Sequence, residues 1–192
     1  IEHVQSLGFR CEMGSERDVL KRYYDTAIKC SADVVIRITA DCPLIDPNMV
    51  DECIGIFKET GVDYFSNNHP ESFPDGLDIE VFSFSALQQT HREASTDYER
   101  EHVTPYIRDS NKFAISQMIC EQDHSEKRWT VDEPEDLVVI ENIFNNFQFT
   151  QNINWTKSIR TDQSKNIIWR GIRKSYKSPI NKGIKKQSFQ LI

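Results

Sequence analysis

Apolar residues recur along the chain in two spacings, one typical of amphipathic helices and one of buried strands. From Val19 to Ile28 apolar and aromatic side chains recur about every three to four residues, which predicts a helix with one buried face. Ser15, followed three residues later by Asp18, is a signal for the start of that helix. Residues 33–38 are a short β-branched run without alternation, which is typical of a strand buried on both faces.

The two patterns alternate as far as about residue 145. This alternation predicts an α/β fold in which right-handed crossovers connect the strands of one sheet. We assign residues 1–148 to this domain and residues 149–192 to a basic polar tail, for which partial disorder and a marginal helix both remain open. Further strands are predicted at 62–66, 77–82, 112–119 and 128–131, and further helices at 47–60, 85–93, 98–108 and 134–144.

Charge divides the chain at the same place. Residues 1–150 carry 29 acidic and 13 basic side chains, whereas residues 151–192 carry one acidic and ten basic. The acidic body disfavours nucleic-acid binding, because phosphate backbones require clustered positive charge. Neither a secretory leader nor an apolar run of the roughly 20 residues that a membrane helix needs is visible. With five cysteines in no metal-binding or disulfide spacing, we expect a cytoplasmic protein without a membrane partner.

Two aspartates come directly after predicted strands and before helices that begin near a proline. Asp41 follows the 33–38 strand and Asp132 follows the 128–131 strand. Ligands of open α/β sheets bind beyond the carboxyl ends of the strands, so both residues are candidates for that crevice. Carboxylates without a neighbouring His or Cys suit a hard cation such as Mg²⁺. From position alone, the alternative that each Asp caps the next helix is favoured.

Two arginines occupy positions where charge needs a partner. Arg37 interrupts an apolar strand, and Arg128 lies four residues before Asp132. For each arginine, a substrate phosphate or carboxylate and a structural ion pair are both open. Asp78 and Glu80 share one face of a predicted strand, where they could bind sugar hydroxyls or face solvent.

Other polar residues are weaker candidates. Glu101 and His102 stand in a densely charged helix, where a solvated face is the default interpretation. Cys42 beside Asp41 could be a nucleophile, but a small side chain packed at the end of a strand is favoured.

Five segments together resemble one family. They are similar, in the same order, to motifs of the cytidylyltransferases related to spore-coat polysaccharide biosynthesis protein F. The resemblance extends over roughly residues 12–145 and rests on residues 14–24, 37–47, 74–78, 99–107 and 128–136.

This resemblance implies a GT-A-like nucleotide-diphospho-sugar transferase fold, with a mixed, mostly parallel sheet between helices. It implies an enzyme that joins a sugar to CMP for surface polysaccharide synthesis, with CTP and Mg²⁺; in the related acylneuraminate and Kdo synthetases the sugar is acidic. A homodimer is among the assemblies it leaves open. Asp41 and Asp132 match the metal-binding aspartates, and Arg37 and Arg128 match catalytic positions that offset negative charge. The implied substrate-binding positions are Asp75, Gly76, Asp78, Glu80, Arg100, Glu101 and His102.

The chain departs from the family pattern at its front. The first strand and the basic glycine-rich loop that holds the triphosphate have no counterpart in residues 1–20, and residues 1–11 resemble a later helix and strand. We therefore expect this chain alone to bind CTP poorly. Two alternatives remain: a glycosyltransferase that uses an NDP-sugar, disfavoured because no Asp-x-Asp pair follows the 33–38 strand, and a non-enzymatic remnant or subunit that acts through protein interactions.

Overall fold

The computed structural model describes residues 1–145, 154–156 and 158, and the backbone of 189–191. Most of the predicted basic tail lies outside these residues. No helix in the described parts of the chain is long and apolar enough to cross a membrane. The described elements are α1 (Glu2–Ser6), α2 (Val19–Cys30), β1 (Val34–Arg37), α3 (Pro47–Thr60), β2 (Tyr64–Ser66), β3 (Glu80–Ser83), α4 (Phe84–Glu93), α5 (Asp97–His102), α6 (Pro105–Asp109), β4 (Ile115–Gln117), α7 (Pro134–Asn145) and β5 (Phe189–Leu191).

Local chemistry sets the boundaries of the two helices nearest to β1. Asp18 caps α2 by accepting a hydrogen bond from the Lys21 amide, so the cap lies three residues after the predicted Ser15. Asp46 caps α3 by accepting from the Asn48 amide at 2.9 Å. The cap of α3 is therefore Asp46 and not Asp41, and the capping alternative for Asp41 is wrong.

The sheet is mixed, with the strand order β4-β2-β3-β1-β5. β1 pairs in parallel with β5 and β2 with β4, whereas β3 runs antiparallel to both β1 and β2. Four of the five described strands thus share one direction, and the predicted mixed sheet is confirmed. The reversed central strand was not predicted, and it arises because residues 67–79 turn the chain straight back from β2 into β3 without a crossover helix.

Two of the predicted strands are not formed. Residues 128–131 form no strand of the sheet, and only an isolated bridge joins Asp75 to Arg128. The backbone of this segment bonds to loops instead: the Trp129 amide donates to the Asp75 carbonyl at 2.7 Å and the Val131 amide to the Asp41 carbonyl at 3.0 Å. The strand predicted at the front of the chain is likewise not formed, since only the short helix α1 precedes α2.

Helices cover both faces of the sheet, as predicted. On one face, α3 and α7 pack over a core that includes Phe57, Phe65, Trp129 and Ile143. On the other face, α2, α4 and residues of the α5–α6 region enclose a second core around Leu20, Phe82, Leu87 and Ile107. Each core removes a large apolar area from water, which is the main favourable term in folding.

The reversal of β3 creates the edge on which the candidate site is built. Glu80, the first residue of β3, is in register with both Arg37 and Ser66, which are the last residues of β1 and β2. The start of β3 therefore lies where β1 and β2 end. The loops that follow β1 and β2 meet the segment that precedes β3 at this edge.

Candidate active site

A cavity of about 310 Å³ opens where these loops meet. The loop that follows β2 and the segment that leads into β3 supply most of its wall, because the chain makes its reversal here. The lining residues are Asn68, His69, Glu71, Phe73, Asp75, Asp78 and Ser125.

Gly76 allows two backbone segments of this wall to lie against each other. A Cβ atom at Gly76 would come within 2.6 Å of the Trp129 carbonyl carbon, and the residue has a φ of +102°. Both features require glycine. Beside it, the Asp75 amide donates to the Lys127 carbonyl at 3.0 Å. The resemblance implied substrate binding for Gly76; its geometry gives it a role in holding Asp75 beside Arg128.

Arg128 is the centre of an acidic cluster next to the cavity. Its Nη1 lies 3.4 Å from Asp75 Oδ2, and its Nη2 lies 2.5 Å from Asp132 Oδ2 and 3.0 Å from Asp136 Oδ2. Asp136 also accepts hydrogen bonds from the backbone amides of Asp132 and Glu133, at 3.1 and 3.0 Å. These bonds hold the pKa of Asp136 well below its usual range, the bond from Arg128 contributing most. Asp136 thereby fixes the turn that carries Asp132.

Asp41 and Asp132 are brought to the same edge. The hydrogen bond between the Val131 amide and the Asp41 carbonyl places the turn after β1 against the residue that precedes Asp132. Among the described residues, no group of three or more His, Cys, Asp or Glu side chains is arranged to hold a metal ion. The carboxylates of Asp41 and Asp132 nevertheless suit Mg²⁺. This ion commonly binds one or two protein carboxylates and completes its octahedron with phosphates and water.

Two carboxyl groups in the cavity wall, those of Asp75 and Asp78, have raised pKa values. Burial, with the nearby charges of Asp75, Glu80 and Glu71, raises the pKa of Asp78 to about 6. Burial also raises the pKa of Asp75, although Arg128 opposes the shift. The pKa of His69 is lowered by burial and by the neighbouring Arg108. Clustered perturbed groups in a cleft are typical of functional sites.

Arg37 and Glu80 form a buried ion pair instead of lining the cavity. The Glu80 carboxylate is 1% exposed and also accepts hydrogen bonds from the Tyr64 hydroxyl at 2.5 Å and the Thr104 hydroxyl at 2.7 Å. Protein donors therefore surround this carboxylate. Of the two interpretations of Arg37, a substrate contact or an ion pair within the protein, the structure favours the ion pair, and Glu80 is the partner.

The predicted site residues of α5 do not line the cavity. Arg100 binds Asp18 with two hydrogen bonds, of 3.0 and 2.7 Å, and the His91 carbonyl with a third of 2.9 Å. It therefore ties α5 to the start of α2. Glu101 and His102 are exposed and are not among the residues that line the cavity.

Sequence reasoning missed several residues of the wall. Asn68, His69 and Glu71 lie in the loop between β2 and β3, whose length and Asn and Pro content were the available signals. Asp136 lies in the 128–136 motif, but its hydrogen bonds with Arg128 were not predicted. Cys42 is buried, and burial raises the pKa of its thiol to about 12, so it stays protonated at neutral pH and is not an activated nucleophile.

Part of the predicted tail packs against the rest of the described chain. The Trp155 ring packs edge-on against Phe73, with the ring centroids 5.4 Å apart, and its amide donates to Asp46 Oδ2 at 3.2 Å. Ser158 is fully buried. At these positions the chain beyond residue 148 supports the cavity wall from behind.

Comparison with known proteins identifies the family of the chain. Residues 1–169 match the family model described as cytidylyltransferase. The chain belongs to the cytidylyltransferase family. A cytidylyltransferase structure from Leptospira borgpetersenii serovar Hardjo-bovis superposes with a TM-score of 0.80 and 28% identity, over 88% of this chain and 74% of that one. The predicted family and its α/β fold are thereby confirmed.

Two curated proteins are similar over a shorter stretch. An uncharacterised protein of Methanocaldococcus jannaschii is 40% identical over 107 residues, which are 56% of this chain and 43% of that protein. The spore coat polysaccharide biosynthesis protein SpsF of Bacillus subtilis is 36% identical over 107 residues, which are 55% of this chain and 43% of that protein. The similar stretch thus spans less than half the length of either relative.

Proposed function

We propose that the protein transfers a cytidylyl group from CTP to a sugar and releases pyrophosphate. The observation that carries the proposal is the meeting of Asp41, Asp132 and Arg128 beside a sugar-sized cavity, in a chain of the cytidylyltransferase family. The similarity to a spore coat polysaccharide biosynthesis protein supports polysaccharide synthesis as the pathway.

In this proposal the reaction depends on positioning. The sugar binds in the cavity through Asp75 and Asp78, with one hydroxyl directed towards the edge at Asp41 and Asp132. That hydroxyl attacks the α-phosphate of CTP and pyrophosphate leaves, without a covalent intermediate on the protein. Holding two reactants in alignment can account for much of a rate enhancement.

Asp41 and Asp132 would hold Mg²⁺, which when bound neutralises negative charge on the phosphates. Arg128 lies beside Asp132 and serves two purposes in this scheme. It keeps Asp75, Asp132 and Asp136 together, and it places a permanent positive charge next to the phosphates. Electrostatic stabilisation of this kind is commonly the largest single contribution to catalysis.

Arg37 and Glu80 support the site from below in this proposal. The pair fixes the register of β1 and β3 at the edge from which Asp41 and Asp78 project. Arg100, Glu101 and His102, the other implied substrate-binding residues, have no assigned contact with the sugar in this scheme, because Arg100 is bound to Asp18 and none of the three lines the cavity.

The test compares the products formed from radiolabelled nucleotides. CTP with Mg²⁺ and a sugar should yield pyrophosphate and a CMP-sugar. A nucleoside diphosphate released from an NDP-sugar would instead identify a glycosyltransferase, and the absence of any turnover by the protein that contains this chain would favour a non-enzymatic role.

A further inference from the structure

The strand pairing between β2 and β3 ends at Ser66 and Glu80. The Asn67 backbone amide makes one further bond, to the Ile79 carbonyl at 3.3 Å, and from there the fully buried Asn67 side chain takes over. Its Oδ1 accepts from the Ile79 amide and its Nδ2 donates to the Leu77 carbonyl, each at 2.8 Å. A side-chain amide offers the same donor and acceptor as a peptide group. The Asn67 side chain therefore stands in for a strand at the point where the chain leaves the sheet.

The two groups that Asn67 binds lie on either side of Asp78. They are the carbonyl of the residue before it and the amide of the residue after it, so the backbone of Asp78 is held at both ends. Leu77 and Ile79 are fully buried in the core beneath α3, whereas Asp78 lines the cavity. The bonds from Asn67 thus keep the two apolar neighbours in the core while the carboxyl group faces the cavity.

Asn67 also contacts the helix that follows the Asp41 turn. Its Nδ2 lies 3.3 Å from the Sδ atom of Met49, in the first turn of α3. Both N–H bonds of the side chain and its oxygen are therefore used. An Asp at this position would lack the donors, and a Leu would lack the donors and the acceptor.

The next residue, Asn68, acts on the carboxyl group itself. Burial raises the pKa of Asp78, and a hydrogen bond donated by the Asn68 side chain opposes that rise. We propose that Asn67 is a positioning residue for the sugar, because it directs Asp78 into the cavity and fixes it relative to the start of α3. This inference rests on the proposed sugar-binding role of Asp78.

The first test follows the titration of the Asp78 carboxyl group by NMR in the protein that contains this chain. In wild type, burial holds the pKa of Asp78 at about 6. Asn67→Ala frees the backbone on both sides of Asp78, so the carboxyl group gains water and its pKa should fall by about one unit or more. An unchanged pKa of Asp78 in the folded Asn67→Ala variant would overturn the inference.

Two further variants separate positioning from a general loss of stability. Leu87→Ala opens a cavity in the core on the other face of the sheet, and it should leave the pKa of Asp78 within about 0.3 of wild type. Asn67→Ser is milder, since it keeps a hydroxyl, and should lower the pKa of Asp78 by a smaller amount; it decides the test if Asn67→Ala does not fold. An equal shift in Leu87→Ala would contradict the positioning role.

Pyrophosphate release from CTP separates this inference from the proposed function. The sugars are D-glucose, D-glucosamine and N-acetylneuraminate, and the kinetics are measured with the one that gives the fastest release. Asn67→Ala should raise the KM for that sugar at least about tenfold and the KM for CTP less than about twofold. It should add little to the effect of Asp78→Asn, because both substitutions remove the same contact.

Equal increases in the two KM values, or fully additive effects of the two substitutions, would refute the positioning role. A wild-type protein that releases no pyrophosphate with any of the three sugars would count against the proposed reaction. The inference on Asn67 would then be decided by the titration of Asp78, which needs no turnover.

Discussion

Replacing Asp78 with Asn should stabilise the protein while it weakens sugar binding. Burial and the charges of Asp75, Glu80 and Glu71 raise the pKa of Asp78 from 3.8 to about 6. Because the pKa of Asp78 is higher in the folded than in the unfolded state, the folded protein binds more protons than the unfolded chain at pH values between about 4 and about 6. The stability contributed by protonated Asp78 is therefore present at low pH and is lost as the pH rises from about 4 to about 6.

The size of the effect follows from the shift. A difference of about two pKa units, at 1.36 kcal/mol per unit, sets an upper limit of about 3 kcal/mol on the stability that ionised Asp78 costs the folded protein at neutral pH. Because the cavity admits solvent, we expect Asp78→Asn to raise the free energy of unfolding by about 1–3 kcal/mol at pH 7.5. The side-chain carbonyl oxygen of the new Asn can still accept the hydrogen bond from the Asn68 side chain, so that interaction survives the substitution.

Urea unfolding at pH 7.5 and pH 4.5 provides the assay. At pH 4.5 wild-type Asp78 is mostly protonated when folded, so the gain from Asp78→Asn should fall to less than half of its value at pH 7.5. Asp51→Asn is the matched control and should change little at either pH, since Asp51 is exposed on α3. A destabilised Asp78→Asn variant, or an equal gain at both pH values, would refute the reasoning.

Two further substitutions test the framework beneath the site. Glu80→Ala should lower the free energy of unfolding by about 3–5 kcal/mol because it leaves Arg37 buried without its partner; Glu80→Gln should cost clearly less, and equal losses in urea unfolding would contradict a charge-based role. Gly76→Ala should cost about 2–4 kcal/mol, because its Cβ would strike the Trp129 backbone at a positive φ. The control Gly55→Ala, in α3 with nothing within 4 Å of the added Cβ, should instead stabilise by up to about 1 kcal/mol, and a loss as large as that of Gly76→Ala would contradict the argument.

The sequence predicted the helices and four of the strands, since each carries a local signal. The turn at Gly61, the proline at the start of α3 and the apolar stripe of α2 all depend on neighbours close in the chain. The reversal of β3 could not be predicted in this way. It depends on the path of a loop of more than ten residues, and period-two patterns do not reveal the direction of a strand.

The candidate site was predictable in part. Asp41, Asp75, Asp78, Arg128 and Asp132 lie in motifs, and the structure gathers them at one edge. The roles implied for Glu80 and Arg100 do not match their contacts, because a motif shows that a residue matters without showing what it touches.

The segment of residues 128–131 is a case where propensity misled. Arg128-Trp129-Thr130-Val131 has β-branched and aromatic side chains that favour extended backbone. The chain is extended there, but its amides bond to the loops at Asp75 and Asp41 and not to a neighbouring strand. The same hydrogen bonds that prevent a strand are those that assemble the site.

The most direct test of the central claim is Mg²⁺-dependent release of pyrophosphate from CTP by the protein that contains this chain, measured over a panel of neutral, amino and acidic sugars. Asp41→Asn and Asp132→Asn are compared with wild type and with the exposed control Asp51→Asn. The account predicts sugar-dependent pyrophosphate release by wild type and control, and a loss of at least about a hundredfold in the two variants. Wild-type rates in either Asp41→Asn or Asp132→Asn would contradict it.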